Sequence, residues 1–291
     1  MSGQQLFTVP IPALKNHPGG AIVCTTPAPK VYLLSWTSPP DNRLTDAFCQ
    51  ALLTALDELE YARVEDTASK DKDPAASTKK PKYPPGVVIT TSAITKFYSN
   101  GLDLTLLLNQ PGFAQENIYP LWRRFLTYPM PTVALLNGHT FAGGAMLAMH
   151  QDYRVFSEPK GYLCLNELEF GAPLLPPMAS VFREKLPAPT FRKLILEAHR
   201  FGAKEALDAG IVDKVGGLDA ALELIRDLKL TTKAATGAYG MLKEEMYRES
   251  VALLDARGAD FVEPNMRFGA AKRKVEEGVK RVEGKEHKAK L

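Results

Sequence analysis

The sequence predicts a mixed α/β fold, and three features predict it. Short apolar runs of strand length lie at residues 30–37 (KVYLLSWT), 86–92 (GVVITTS) and 132–136 (TVALL). Phe48, Ala51, Leu52, Ala55, Leu56 and Leu59 recur at the i, i+3, i+4, i+7 spacing of one buried helix face, with Thr45 placed as its cap. Strand, tight turn and helix then follow one another twice, around Asn100-Gly101 and around Gly143-Gly144.

In chain order, residues 1–29 read as an extended, proline-bearing lead-in with one strand near 21–25. After the first helix, residues 65–85 exchange apolar side chains for Lys, Asp, Ser, Ala and Pro, which predicts a mobile surface insertion. Residues 105–128 read as helical, with Leu106, Leu107, Leu121, Trp122 and Phe125 toward the core. Asn137-Gly138 turns the chain after the strand at 132–136, the apolar segment Met146 to Met149 reads as the first turns of a buried helix, and residues 152–156 form the next strand. Residues 160–185 show little period until a helix from about 178 to 185. A helical stretch over 189–209, broken at Phe201-Gly202, leads to a turn and strand at 210–215. Amphipathic helices follow at 218–228 and 233–256. The charged end, 270–291, reads as a solvated helix and frayed tail. The division is a core over 1–230 and a C-terminal helical region over 231–291.

The totals bound the function class. A chain of 291 residues, 45% apolar and 24% charged, has ample material for a core. A net charge of +3 is too small to imply nucleic acid by itself, and no DNA partner is expected. Cys24, Cys49 and Cys164 are an odd number and widely spaced, which suits a reducing compartment and speaks against a disulfide scaffold or a zinc site. The N-terminus lacks a basic stretch leading into a long apolar one, so no secretory signal is expected. The least polar window, 131–149, is interrupted by Asn137, Gly138 and His139, so it reads as core and not as a membrane span.

A glycine pair at a helix mouth leaves backbone N–H groups bare and aimed outward, where they hold a bound anion or an oxygen that becomes negative in a reaction. It serves equally as a packing device. Two such turns, each at the end of a strand, supply the parts of a two-donor oxyanion hole. Glu167 and Glu169 flank Leu168, and in an extended segment both carboxylates share one face. Either reads equally as a surface carboxylate; the apolar neighbours Leu165 and Leu168 would raise the pKa of Glu167 and suit it to a proton shuttle. His139 and His150 lie near the helix mouth and read as structural.

The segments KFYSNGLDL (96–104), PTVALLNGHTFAGGAMLAM (131–149) followed by DYRVFSE, and RFGAKEALDAGIVDKV (200–215) resemble, in this order, the crotonase or enoyl-CoA hydratase/isomerase superfamily. The resemblance covers about 30–215 and implies a spiral of β-β-α repeats, with C-terminal helices that build a homotrimer or hexamer. It implies an acyl-CoA substrate whose thioester oxygen is gripped by the N–H groups of Asn100 and Gly143, with Ser99, Gly101, Leu102, Asp103 and Met146 at the substrate; Asp103 is given a capping role. Hydratases of the family use two glutamates. The first position is Met146 here, and the second falls on Glu167. A thioether cannot activate water, whereas one carboxylate suits a double-bond shift from 3-enoyl-CoA to 2-enoyl-CoA. The text around Glu167 is most like plant-type peroxisomal isomerases, and Ala289-Lys290-Leu291 resembles the address read by the peroxisomal import receptor. No metal or redox cofactor is implied; coenzyme A arrives with the substrate. Two other readings stay open: a hydratase or other acyl-CoA enzyme, and a weakly catalytic acyl-CoA- or RNA-binding protein using its basic tail.

Overall fold

A computed structural model describes residues 3–65, 79–159, 161–256 and 264–289. The chain begins with an antiparallel meander of β1 (Gln4–Ile11), β2 (Gly20–Ala28) and β3 (Val31–Thr37). Helix α1 (Asp46–Tyr61) covers it, started by Thr45, whose hydroxyl accepts the Phe48 N–H at 3.1 Å. Strands β4 (Arg63–Glu65) and β5 (Lys79–Pro81) pair with each other. Then β6 (Val87–Ser92), β7 (Phe97–Ser99) and α2 (Leu104–Asn109) form one unit, extended by a π-helical turn at Ala114–Ile118 and by α3 (Tyr119–Thr127). The next unit is β8 (Thr132–Leu136), β9 (His139–Phe141) and α4 (Gly143–Met149). A third comprises β10 (Tyr153–Phe156), β11 (Leu163–Cys164), a 3-10 turn at Glu167–Phe170 and α5 (Pro176–Lys185). The rest is α6 (Ala188–Leu196), α7 (Ala203–Asp208), β12 (Lys214–Val215), α8 (Leu218–Asp227), a 3-10 turn at Leu230–Thr236, α9 (Tyr239–Met246), α10 (Arg248–Asp255) and α11 (Pro264–Ala289).

In each of the three units the first strand joins a seven-stranded sheet, ordered β1-β2-β3-β6-β8-β10-β12, and the second joins a three-stranded sheet, β11-β9-β7. The chain therefore advances as a spiral of β-β-α turns. The large sheet is parallel from β3 through β12. Both of its faces are covered: Leu34, Trp36, Ala134 and Leu136 face the main core, while Val87, Ile89, Val133 and Leu135 face α8 through Ala221 and Ile225. Burial on both sides is why β6 and β8 read as continuous apolar runs instead of alternating ones.

Several expectations need correction. The lead-in contains β1, an edge strand whose burial alternates weakly and whose sequence carries a proline, so no period betrays it. Strand β9 is three residues long, too short to show a period. The helix expected over 105–128 is broken after α2, where Pro111-Gly112 intervenes and Gly112 takes φ +80°. The helix expected over 233–256 is cut at Gly237, which is left-handed at φ +75°. Of the expected surface insertion, residues 66–78 lie outside the described residues. Its C-terminal part is anchored: Tyr83 is buried, with its ring against Phe7 and Tyr32. Helices α9 and α10 pack against α3 and α5, and Lys243 of α9 reaches the Phe125 carbonyl at 2.7 Å and Asp152 at 2.8 Å. Lys290 and Leu291 lie outside the described residues. Among the described residues no helix is long and apolar enough to cross a membrane.

Candidate active site

The mouth of α4, the turn after β7, helix α2 and the 3-10 turn after β11 meet around a cavity of about 540 Å³. Leu104, Leu107, Leu175 and Met178 give it apolar walls; Arg43, Asn100, Asn166 and Glu167 are its polar side chains.

The first turn is clamped by the segment preceding α1. The Asn100 N–H donates to the Asp41 carbonyl at 2.9 Å, and its amide nitrogen donates to the Asp41 carboxylate at 2.7 Å. The Gly101 N–H donates to the Ser99 hydroxyl at 3.2 Å, and the Asp103 N–H to the Leu44 carbonyl at 3.4 Å. Of these four consecutive N–H groups, that of Leu102 alone has no hydrogen-bond partner among the described residues. The expected role of Asn100 is thus corrected by one bond. Its side chain lines the cavity, but its N–H is already engaged, and the donor left over belongs to Leu102.

At the second turn Ala142 takes φ 47° and ψ −120°, a sparsely populated conformation for a residue with a Cβ. Its N–H is fixed on the Cys164 carbonyl at 3.0 Å and its carbonyl accepts the Met146 N–H at 3.0 Å. The Gly143 N–H, first in α4, has no partner among the described residues and lies on the cavity wall. The two turns touch. A Cβ on Gly143 would stand 2.7 Å from Leu102 Cγ and 2.9 Å from the Leu102 nitrogen. Glycine is therefore required at 143 by close approach, and the two free N–H groups belong to one site.

Glu167 opens the 3-10 turn. Its side chain is buried, and its Oε2 has no hydrogen-bond partner among the described residues. Burial pushes its carboxyl up to about 7, opposed only in part by its own backbone N–H. The expectation of an extended segment is overturned here. With three residues per turn, Glu167 and Glu169 diverge, and Glu169 points to solvent, where both of its oxygens accept from Arg200 at 3.0 and 3.1 Å. Leu165 is buried as expected, but Leu168 is 59% exposed and supplies no apolar surround.

The remaining expected residues divide into wall and scaffold. Met146 and Leu102 line the cavity. Ser99 donates to the Asn42 carbonyl at 2.7 Å, Gly101 accepts the Leu44 N–H at 2.8 Å, and neither lines the cavity. Asp103 caps α2 by accepting the Leu106 N–H at 3.0 Å, and also pairs with His17 at 2.7 Å. His150 is structural: stacked on Trp122, its ring bonded to the Met146 carbonyl at 2.7 Å, and driven by burial down to about 3. His139 is held among the rings of Phe97, Phe141 and Tyr162. Sequence reading assigned no role to Asn166. Its place beside Glu167 was the available signal.

The family model for enoyl-CoA hydratase/isomerase matches residues 79–288. The chain belongs to the enoyl-CoA hydratase/isomerase family. Among curated relatives, the Arabidopsis thaliana protein named enoyl-CoA delta isomerase 1, peroxisomal, is 26% identical over 230 residues, covering 76% of this chain and 87% of the relative. The Arabidopsis thaliana enoyl-CoA delta isomerase 2, peroxisomal, is 29% identical over 198 residues, covering 62% and 82%. A solved enoyl-CoA hydratase/isomerase family protein from Pseudomonas syringae superposes with a TM-score of 0.63 at 23% identity, covering 80% of this chain and 95% of that one. At that identity the superposition establishes the crotonase fold and nothing finer.

Proposed function

We propose that the protein is a Δ3,Δ2-enoyl-CoA isomerase that moves a double bond from 3-enoyl-CoA to 2-trans-enoyl-CoA. The observation that carries this is one buried carboxylate, Glu167, in a cavity where Met146 stands in place of the second carboxylate that hydration calls for. The thioester oxygen takes the N–H groups of Leu102 and Gly143. Glu167, as carboxylate, removes a proton from C2. Charge builds on the oxygen as a dienolate forms, and two donors already in place stabilise it without reorganising. The carboxylic acid returns its proton to C4, with no net change of charge. The apolar walls exclude water from the dienolate and keep the Glu167 pKa near neutrality, where a carboxyl can both take and give a proton. No cofactor is called for beyond the coenzyme A of the substrate.

The names of the two Arabidopsis relatives support this chemistry and a place in peroxisomal fatty-acid β-oxidation. Assembly as a homotrimer or hexamer through the C-terminal helices fits the outward face of α9, where Met241, Leu242 and Met246 are exposed. The test is turnover of 3-hexenoyl-CoA beside hydration of 2-hexenoyl-CoA. Isomerisation with negligible hydration supports the reading. Hydration without isomerisation replaces it with a hydratase, and turnover of neither replaces it with a binding protein.

A further inference from the structure

Helix α2 forms one apolar wall of the cavity through Leu104, Leu107 and Leu108, yet the fold holds it lightly. It has six residues, and none of them is buried. Pro111-Gly112 separates it from the π-helical turn and α3, so no longer helix steadies it. A helix this short does not persist on its own hydrogen bonds. Its fixed point is Asp103, whose two carboxylate oxygens have different partners. One accepts the Leu106 N–H at 3.0 Å and starts the helix; the other accepts from His17 Nε2 at 2.7 Å. His17 stands 86 positions earlier in the chain, in the turn between β1 and β2. There the Leu14 N–H donates to the His17 carbonyl at 2.8 Å and the His17 N–H to the Leu14 carbonyl at 3.1 Å, and the pairing of β1 with β2 starts at Ile11 and Gly20. The turn is thus a rigid post. The side chains of His17 and Asp103 are only 11% and 13% exposed, so the pair is sheltered from the screening that weakens surface pairs.

We propose that His17 is a positioning residue for substrate binding: by holding Asp103 it keeps α2 closed as a wall for the acyl chain, and it thereby favours longer chains. The oxyanion donor does not depend on this tether. The Gly101 carbonyl, in the same peptide group as the Leu102 N–H, accepts the Leu44 N–H at 2.8 Å, and Gly143 approaches Leu102 closely. Loss of the tether therefore loosens binding and leaves the reacting groups in place. A chain that runs along α2 meets Leu104 first, then Leu107 and Leu108 about one turn, or about 5 Å, further on. Such contacts are the same before and during the double-bond shift, so they act on KM and not on kcat. The preference for longer chains rests on the isomerase reading; the tether between His17 and α2 does not.

Two measurements test it separately. Hydrogen exchange, read by mass spectrometry on the protein without substrate, follows the amides of residues 104–110. His17→Ala speeds their exchange at least about fivefold while that of α4 stays within about twofold, and His17→Gln, which keeps an Nε2–H for Asp103, restores most of the protection. Exchange over 104–110 equal to wild type in His17→Ala overturns the tether; if that variant does not fold, His17→Leu serves in its place. In turnover, His17→Ala raises KM for 3-decenoyl-CoA by roughly tenfold and for 3-hexenoyl-CoA by less than about threefold, with kcat for both within about twofold of wild type. His17→Gln returns the ratio of the two KM values toward wild type. An equal rise in KM for the two chains, or a loss confined to kcat, overturns the role in binding. Faster exchange in His17→Ala with no isomerisation in any sample overturns the isomerase reading and supports the tether.

Discussion

Replacing Glu167 by Gln should slow turnover severely and at the same time stabilise the fold at alkaline pH. Burial raises the carboxyl from an ordinary 4.5 to about 7. Between those values the unfolded chain has released its proton and the native chain has not. Native stability therefore falls as pH rises through that window, and it levels above about 7. At about 1.4 kcal/mol for each pH unit, the interval amounts to roughly 3 kcal/mol. Glutamine has the shape of the protonated side chain and no charge to desolvate. The variant should match wild type near pH 4 and exceed it by up to roughly 3 kcal/mol at pH 8. Urea unfolding at pH 4, 6 and 8 measures this. Initial rates with 3-hexenoyl-CoA should fall by about 10²- to 10⁴-fold, the usual worth of a positioned base, and wild-type kcat/KM should rise with pH to a plateau above about 7. A stability difference that does not change with pH would refute the claim that Glu167 is desolvated. Retained isomerisation would refute its role as base.

Other expectations follow from the same geometry. Gly143→Ala places a methyl 2.9 Å from the Leu102 nitrogen, and should lower kcat by about 10²- to 10³-fold while the protein stays folded by circular dichroism; more than half of wild-type activity would exclude this pair as the oxyanion donors. At Asp103, burial opposes ionisation, but the Leu106 N–H and His17 outweigh it and hold the carboxyl below its usual range. The resulting stability is present above the ordinary pKa and is lost as pH falls through the folded one. Asp103→Ala should thus cost about 1 kcal/mol at pH 7 and less near pH 3, as read by thermal unfolding at the two pH values. Asp152→Ala strands the buried Lys243 ammonium and should cost about 3–5 kcal/mol in urea unfolding. Lys243→Met should cost less, because Asp152 keeps the Thr132 N–H at 2.9 Å and the Tyr239 hydroxyl at 3.3 Å.

Much of the fold was legible in the sequence because its signals are local and strong. Strands β6 and β8 are buried on both faces and read as unbroken apolar runs, and α1 carries both its cap and its apolar face. What escaped had no period to display: a weakly alternating edge strand, a three-residue strand, and helices cut at Pro111-Gly112 and Gly237. The candidate site was legible as two turns and a carboxylate, on the motifs of KFYSNGLDL and TFAGGAMLAM. Its donors were not fully legible, since a backbone N–H looks the same at Asn100 and at Leu102.

Local sequence signals specify the α/β architecture and the two glycine turns, and place Met146 just inside the helix that follows the second. Tertiary structure alone decided which N–H groups stay free, because the Asp41 and Leu44 carbonyls that engage the neighbours come from a segment almost sixty residues earlier in the chain. It also decided between Glu167 and Glu169. A 3-10 turn points acidic residues two positions apart in different directions, and the one turned inward loses its water and with it the usual carboxylate pKa.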